Sequence, residues 1–160
     1  MEKLEKTVEN LIKTLSMRNQ TVSFAESCTG GRIAAAFTAV SGSSNILHGS
    51  CITYANEIKE RWLGVPKEIL ETKGAVSKEC VEHMLEGMER MAASDYTLAV
   101  SGIAGPTGGT EFKPVGTVYI GLRTPDGKNE VHHCLFKGDR HQVQDQATTF
   151  AIELLEKNVN

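Results

Sequence analysis

Ser27 and Cys28 adjoin in AESCTGG, residues 25–31, between a short β-branched and aromatic run and a run of small residues. A serine at such a strand-to-helix junction faces the free N–H groups of a helix start, which favour negative charge. An attacking hydroxyl needs that setting, because the tetrahedral oxyanion it creates must meet donors already in place. Gly30 and Gly31 would let the backbone approach a substrate without a Cβ clash. The same residues also fit a plainer role, in which Ser27 or Thr29 N-caps the helix and the glycines serve close packing. Cys28 competes as nucleophile, since a thiol at a helix start can ionise more readily. No histidine lies near it in sequence to act as its base, which favours Ser27.

A serine hydroxyl needs a base, and TYANEIK, residues 53–59, offers Lys59 one turn into a helix, with Tyr54 at the end of the preceding strand. Burial and positive potential lower a lysine pKa enough for such work. Alternatively, Lys59 is a solvated surface cation and Tyr54 a core aromatic with a bonded hydroxyl. The segment from Ser101 carries Gly102, Gly105, Gly108 and Gly109, too many glycines for a regular element. Turned backbone of this kind can aim N–H groups at a phosphate or another anion, or it can be a tight loop and nothing more. Neither the Walker spacing nor G-x-G-x-x-G is present. Lys113 or Arg140 could add a cation for a phosphate.

The elements that position these groups come from a 160-residue chain, a length that suits one domain over residues 1–160. Its composition, 40% hydrophobic, 23% charged and 6% aromatic, predicts a globular protein with an aliphatic core. A net charge of -3 with both signs mixed argues against nucleic acid as a partner. The amphipathic, partly acidic start is not a signal peptide, and no apolar run suits a membrane span, so a cytoplasmic protein is expected. Four cysteines without a C-x-x-C pair, and His132 and His133 pointing to opposite faces of a strand, give no metal site.

Periodicity predicts helices over residues 2–17 and 32–39, a short one over 57–63, another starting at Ser77, and a last one from about Asp139. Val81, Met84, Leu85, Met88 and Met91 form the core stripe of the fourth. Strands are expected over residues 21–25, 50–54, 96–100, 115–122 and 130–136, the last two joined by a turn at 124–127. Early alternation followed by a hairpin implies an α/β fold, a mixed sheet covered on both faces by helices. Ligands in such folds favour the carboxyl ends of strands, where 26–31, 55–59 and 101–109 all fall.

Six blocks in order, AESCTGG (25–31), TYANEIK (53–59), GAVS (74–77), SGIAGPTGG (101–109), KPVGTVYIG (113–121) and FKGDR (136–140), resemble the CinA C-terminal domain family across nearly the whole chain. Thr107 stands where the family pattern AGPDGG has aspartate, so no carboxylate is expected there. The resemblance implies a three-layer α/β/α sandwich, commonly dimeric, and hydrolysis of nicotinamide mononucleotide to nicotinic acid mononucleotide and ammonia without metal or cofactor. It implies Ser27 as nucleophile, Lys59 as general base and Tyr54 as a group that positions or relays the proton. Thr29, Gly30 and Gly31 would surround the oxyanion and amide, while Gly105, Thr107, Gly108, Gly109 and Arg140 would bind the nucleotide. The chain is expected to lack the additional N-terminal domain of the long members. Two other readings compete: a catalytically silent nucleotide-binding or regulatory module, and small-residue segments that serve only as subunit contacts.

Overall fold

The computed structural model describes residues 2–160. The strands are β1 (Val22–Glu26), β2 (Leu47–Ile52), β3 (Tyr96–Gly102), β4 (Thr117–Arg123) and β5 (Asn129–Leu135). They form one sheet in the order β2-β1-β3-β4-β5, with β1 parallel to β2 and β3, and β4 antiparallel to β3 and β5. The expected α/β fold with a mixed sheet is therefore present. Six helices cover it: α1 (Glu2–Met17), α2 (Arg32–Thr38), α3 (Asn56–Leu63), α4 (Lys67–Thr72), α5 (Lys78–Ala92) and α6 (Arg140–Val159). No helix among the described residues is long and apolar enough to cross a membrane.

Two apolar cores lie on the two faces of the sheet. Under α1, α2 and α6, the side chains of Phe24, Leu98, Val100, Ile120 and Leu122 meet Val8, Leu11, Phe37, Val143 and Leu155. Under α5 and α3, Ala25 and Ala99 meet Leu63, Val81, Met84 and Leu85. The strands alternate as a two-residue period requires, so neighbours in sequence serve opposite cores. The small Ala25 and Ala99 let α5 lie close to the sheet centre.

β1 connects through α2 to β2 on one side, and the chain then returns through α3, α4 and α5 to β3 on the other side of β1. The carboxyl ends of β1 and β3 thus form a topological switch point, where connections diverge and leave a crevice. Lys59 reaches that crevice from α3, whose seat depends on Gly87 of α5. A Cβ at Gly87 would overlap the Leu63 carbonyl at the end of α3. We expect Gly87→Ala to lower stability by about 3 kcal/mol through this overpacking, seen as a lower urea midpoint.

The structure departs from sequence expectation in local detail. β2 starts three residues earlier than expected, at Leu47. α4 and a 3-10 turn, Ser43–Asn45, were not expected, because six and three residues show no helical period. Met91, expected in the core stripe, is exposed near the end of α5, and Phe150 of α6 is only half-buried.

Candidate active site

The turn after β1 keeps Ser27 tied to the sheet, its N–H donating to the Val100 carbonyl at 3.0 Å. The Gly30 N–H then donates to the Ser27 carbonyl at 3.0 Å, and Gly30 and Gly31 take φ of 57° and 100° to redirect the chain into α2. Neither Ser27 nor Thr29 caps that helix. The carboxylate of Glu26, fully buried, takes the position instead. Its Oε1 accepts from Thr29 Oγ1 (2.6 Å), Gly31 N (3.2 Å) and Ile33 N (3.0 Å), and its Oε2 from Ala34 N (3.0 Å). The free helix N–H groups expected to receive an oxyanion are therefore already satisfied, and Thr29, with no exposure, turns its hydroxyl away from any substrate. Two N–H groups of the turn, those of Cys28 and Thr29, meet no acceptor in another residue among the described residues. Gln144 of α6 secures the turn from behind, donating Nε2–H to the Cys28 carbonyl at 3.0 Å.

Lys59 is buried, with 1% of its surface exposed, rather than solvated. Its Nζ lies 3.1 Å from Ser27 Oγ, 2.7 Å from the Thr53 carbonyl and 3.1 Å from the Tyr54 carbonyl. Three partners suit both protonation states. An ammonium donates to all three, whereas a neutral amine donates its two N–H bonds to the carbonyls and keeps its lone pair for the Ser27 O–H. Burial holds the Lys59 pKa below its ordinary 10.5, since the charged form loses hydration. The competing Cys28 thiol is pushed up to about 12, chiefly by burial, and so stays protonated near neutral pH.

Ser27, Cys28, Tyr54, Asn56, Lys59, Ala75, Val76, Ser101, Gly102, Ala104 and Arg140 line a cavity of about 170 Å³ at the switch point. The lining contains no carboxylate. Arg140 stands at the start of α6, which a capping box fixes: Asp139 Oδ1 accepts from Gln142 N at 2.9 Å, and Gln142 Oε1 accepts from Asp139 N at 2.8 Å. Its guanidinium donates to the Gly105 carbonyl at 2.7 Å and to Tyr54 Oη at 3.0 Å, and neither contact neutralises its charge.

Sequence-predicted residues divide accordingly. Ser27, Lys59, Tyr54 and Arg140 converge on the cavity. Tyr54, however, is exposed rather than core; its hydroxyl bonds Arg140, and it reaches Lys59 only through its carbonyl. Gly105 contributes a carbonyl to Arg140, while Thr107, Gly108 and Gly109 lie outside the lining. The flanks of their segment are bridged, Ile103 N–H to Thr117 O, Gly116 N–H to Ile103 O and Thr110 N–H to Lys113 O, whereas the N–H groups of Thr107, Gly108 and Gly109 meet no acceptor among the described residues. Lys113 donates Nζ–H to the Lys73 carbonyl. The sequence reading missed Glu26, Asn56 and Ser101. Glu26 carried a legible signal, a carboxylate at the strand end that leads into α2; Asn56 and Ser101 carried only their place at the carboxyl ends of strands.

The family model for the CinA C-terminal domain matches residues 4–159. A CinA-like protein of Fervidobacterium nodosum is 44% identical over 156 residues, which are 97% of this chain and 38% of that protein. One from Leptospira biflexa is 46% identical over 84% of this chain and 32% of its own length. The chain thus spans about a third of the curated relatives it matches. Among solved structures, a competence/damage-inducible protein of Agrobacterium tumefaciens superposes with a TM-score of 0.94 at 35% identity, covering 98% of this chain and 95% of that one. Competence damage-inducible protein A of Klebsiella pneumoniae gives 0.93 at 33% identity, covering 98% of this chain and 96% of its own. With nearly every described residue inside the family model and the fold matched end to end, the chain belongs to the CinA C-terminal domain family.

Proposed function

We propose that the protein is an amidase that converts nicotinamide mononucleotide to nicotinic acid mononucleotide and ammonia. The observation that carries this reading is the buried Lys59 amine 3.1 Å from Ser27 Oγ. As Ser27 Oγ bonds to the carboxamide carbon, its proton passes to the Lys59 lone pair. The oxyanion formed takes a free N–H of the turn, that of Cys28 being next to the nucleophile and on the cavity wall. Lys59 then returns the proton to the nitrogen as the C–N bond breaks, and ammonia leaves. Water, losing a proton to Lys59, attacks the acyl-serine; as the C–Oγ bond breaks, Lys59 returns that proton to Ser27 Oγ and the acid leaves. The pyridinium of the substrate withdraws electrons from the carboxamide and favours both attacks.

Family membership and the cavity together support a nucleotide as substrate. At about 170 Å³ the cavity falls short of the roughly 300 Å³ at which ligand pockets begin, so the amide-bearing ring enters and the ribose phosphate stays at the mouth. Arg140, with no carboxylate paired to it among the described residues, and the absence of a lining carboxylate suit a phosphate there. Arg140→Ala is expected to raise KM for the mononucleotide about tenfold with little change in kcat, because it removes binding common to ground and transition states.

The deciding experiment measures ammonia release from nicotinamide mononucleotide by purified protein stripped of metal. Release above an enzyme-free control supports the amidase. Binding of the mononucleotide by calorimetry without release turns the assignment to a silent nucleotide-binding module.

A further inference from the structure

We propose that Ser101 determines specificity for amides: its hydroxyl accepts an N–H of the substrate carboxamide and holds the leaving nitrogen in place. Ser101 is only 1% exposed, yet it lines the cavity. Leu98 and Val100 of β3 enter the core under α1, α2 and α6, whereas Ala99 enters the core under α5. Strand alternation places Ser101 on the Ala99 face, toward α3 and Lys59. On the adjacent strand, Glu26 pairs with Val100, and the Ser27 N–H donates to the Val100 carbonyl. Ser27 and Ser101 therefore stand side by side at the carboxyl ends of strands about 4.8 Å apart.

Most other buried hydroxyls are committed to partners. Ser23, Ser94 and Thr97 bond one another, Ser77 donates to the Gly74 carbonyl, and Thr117 donates to the Pro114 carbonyl. Thr53 Oγ1 has no partner but is enclosed, away from the cavity wall. The Ser101 hydroxyl meets no protein partner among the described residues and faces the cavity, where a bound molecule can satisfy it.

Which substrate atom it meets follows from the amidase reading, on which this inference rests. For attack, Ser27 Oγ must come within about 3 Å of the carboxamide carbon, so the amide oxygen and nitrogen are the substrate's nearest polar atoms. The oxygen goes to the N–H groups of the turn. The nitrogen brings two N–H donors into a cavity without a carboxylate, and Ser101 supplies an acceptor.

The test compares nicotinamide mononucleotide with the methyl ester of nicotinic acid mononucleotide, which has the same reacting carbonyl and phosphate but no N–H. Ser101→Ala is expected to lower kcat/KM for the amide about tenfold and to leave the ester within about twofold of wild type. Equal losses on both substrates, or no loss on the amide, overturn the proposal. If alanine lowers the urea midpoint, Ser101→Cys, close to serine in volume and a weaker acceptor, repeats the comparison under the same criteria. Turnover of neither substrate by the wild-type protein overturns the amidase reading, and this assignment with it.

Discussion

Lys59→Met is expected to lower kcat for ammonia release on the order of 10³-fold, with the fold retained. Methionine matches the length of the lysine stem and suits the burial of this position. It leaves the Thr53 and Tyr54 carbonyls without their donor, a cost of about 1–3 kcal/mol each, visible in the urea midpoint but within the stability of an ordinary domain. What is lost is the only group within hydrogen-bond reach of Ser27 Oγ among the described residues. Ser27→Ala should fall to a similar level, and the double variant should be no worse than either single one, because the two side chains act as a unit. A loss of tenfold or less in Lys59→Met, with Ser27→Ala inactive, would move the base to another group.

The pH profile checks the same assignment independently. Only the neutral amine can take the Ser27 proton, so kcat/KM should rise with pH, with its midpoint below 10.5 because burial disfavours the ammonium. Stability follows the same sign. Between the lowered folded value and 10.5 the unfolded chain binds a proton that the folded chain does not, so stability rises with pH through that window. Lys59→Met should abolish the activity limb and flatten that part of the stability curve.

The sequence made the layers legible because apolar spacing reports which face of an element is buried, and that held for α1, for most of α5 and for the strand alternation. It placed Ser27 and Lys59 on consecutive strand-to-helix junctions, 32 positions apart. What brings them within 3.1 Å is the parallel pairing of β1 with β2, a long-range fact that no local pattern contains. The Gly-rich loop is hard to read for a related reason. Its glycines signal turned backbone, and turned backbone looks the same whether its N–H groups face a ligand or, as at Ile103 and Gly116, other carbonyls of the protein. Tyr54 shows the limit of residue type as a guide: the contact with Lys59 is made by its carbonyl, which any residue would supply.

Glu26→Ala is expected to destabilise the protein by about 3–5 kcal/mol, a fall in Tm of roughly 10 °C, and to lose most activity under conditions where the fold persists. The variant strands four donors at once, the Thr29 hydroxyl and the N–H groups of Gly31, Ile33 and Ala34. These donors lie at the start of a seven-residue helix, too short to hold its first turn unaided. Ile33 and Thr29 have no exposure, so water cannot easily replace the carboxylate. The activity loss follows from position, since Glu26 and Ser27 are adjacent and this side chain holds Thr29 and Gly31 of the same turn. Glu26→Gln separates shape from charge. Its amide oxygen can keep the three bonds made by Oε1, while its NH₂ faces the Ala34 N–H, donor against donor, at a cost of about 1–2 kcal/mol. Thermal melts and ammonia release for the two variants together should rank wild type, then glutamine, then alanine in both properties. A glutamine variant as unstable as the alanine one would mean that the negative charge against the start of α2, rather than the acceptor geometry, holds the Ser27 turn.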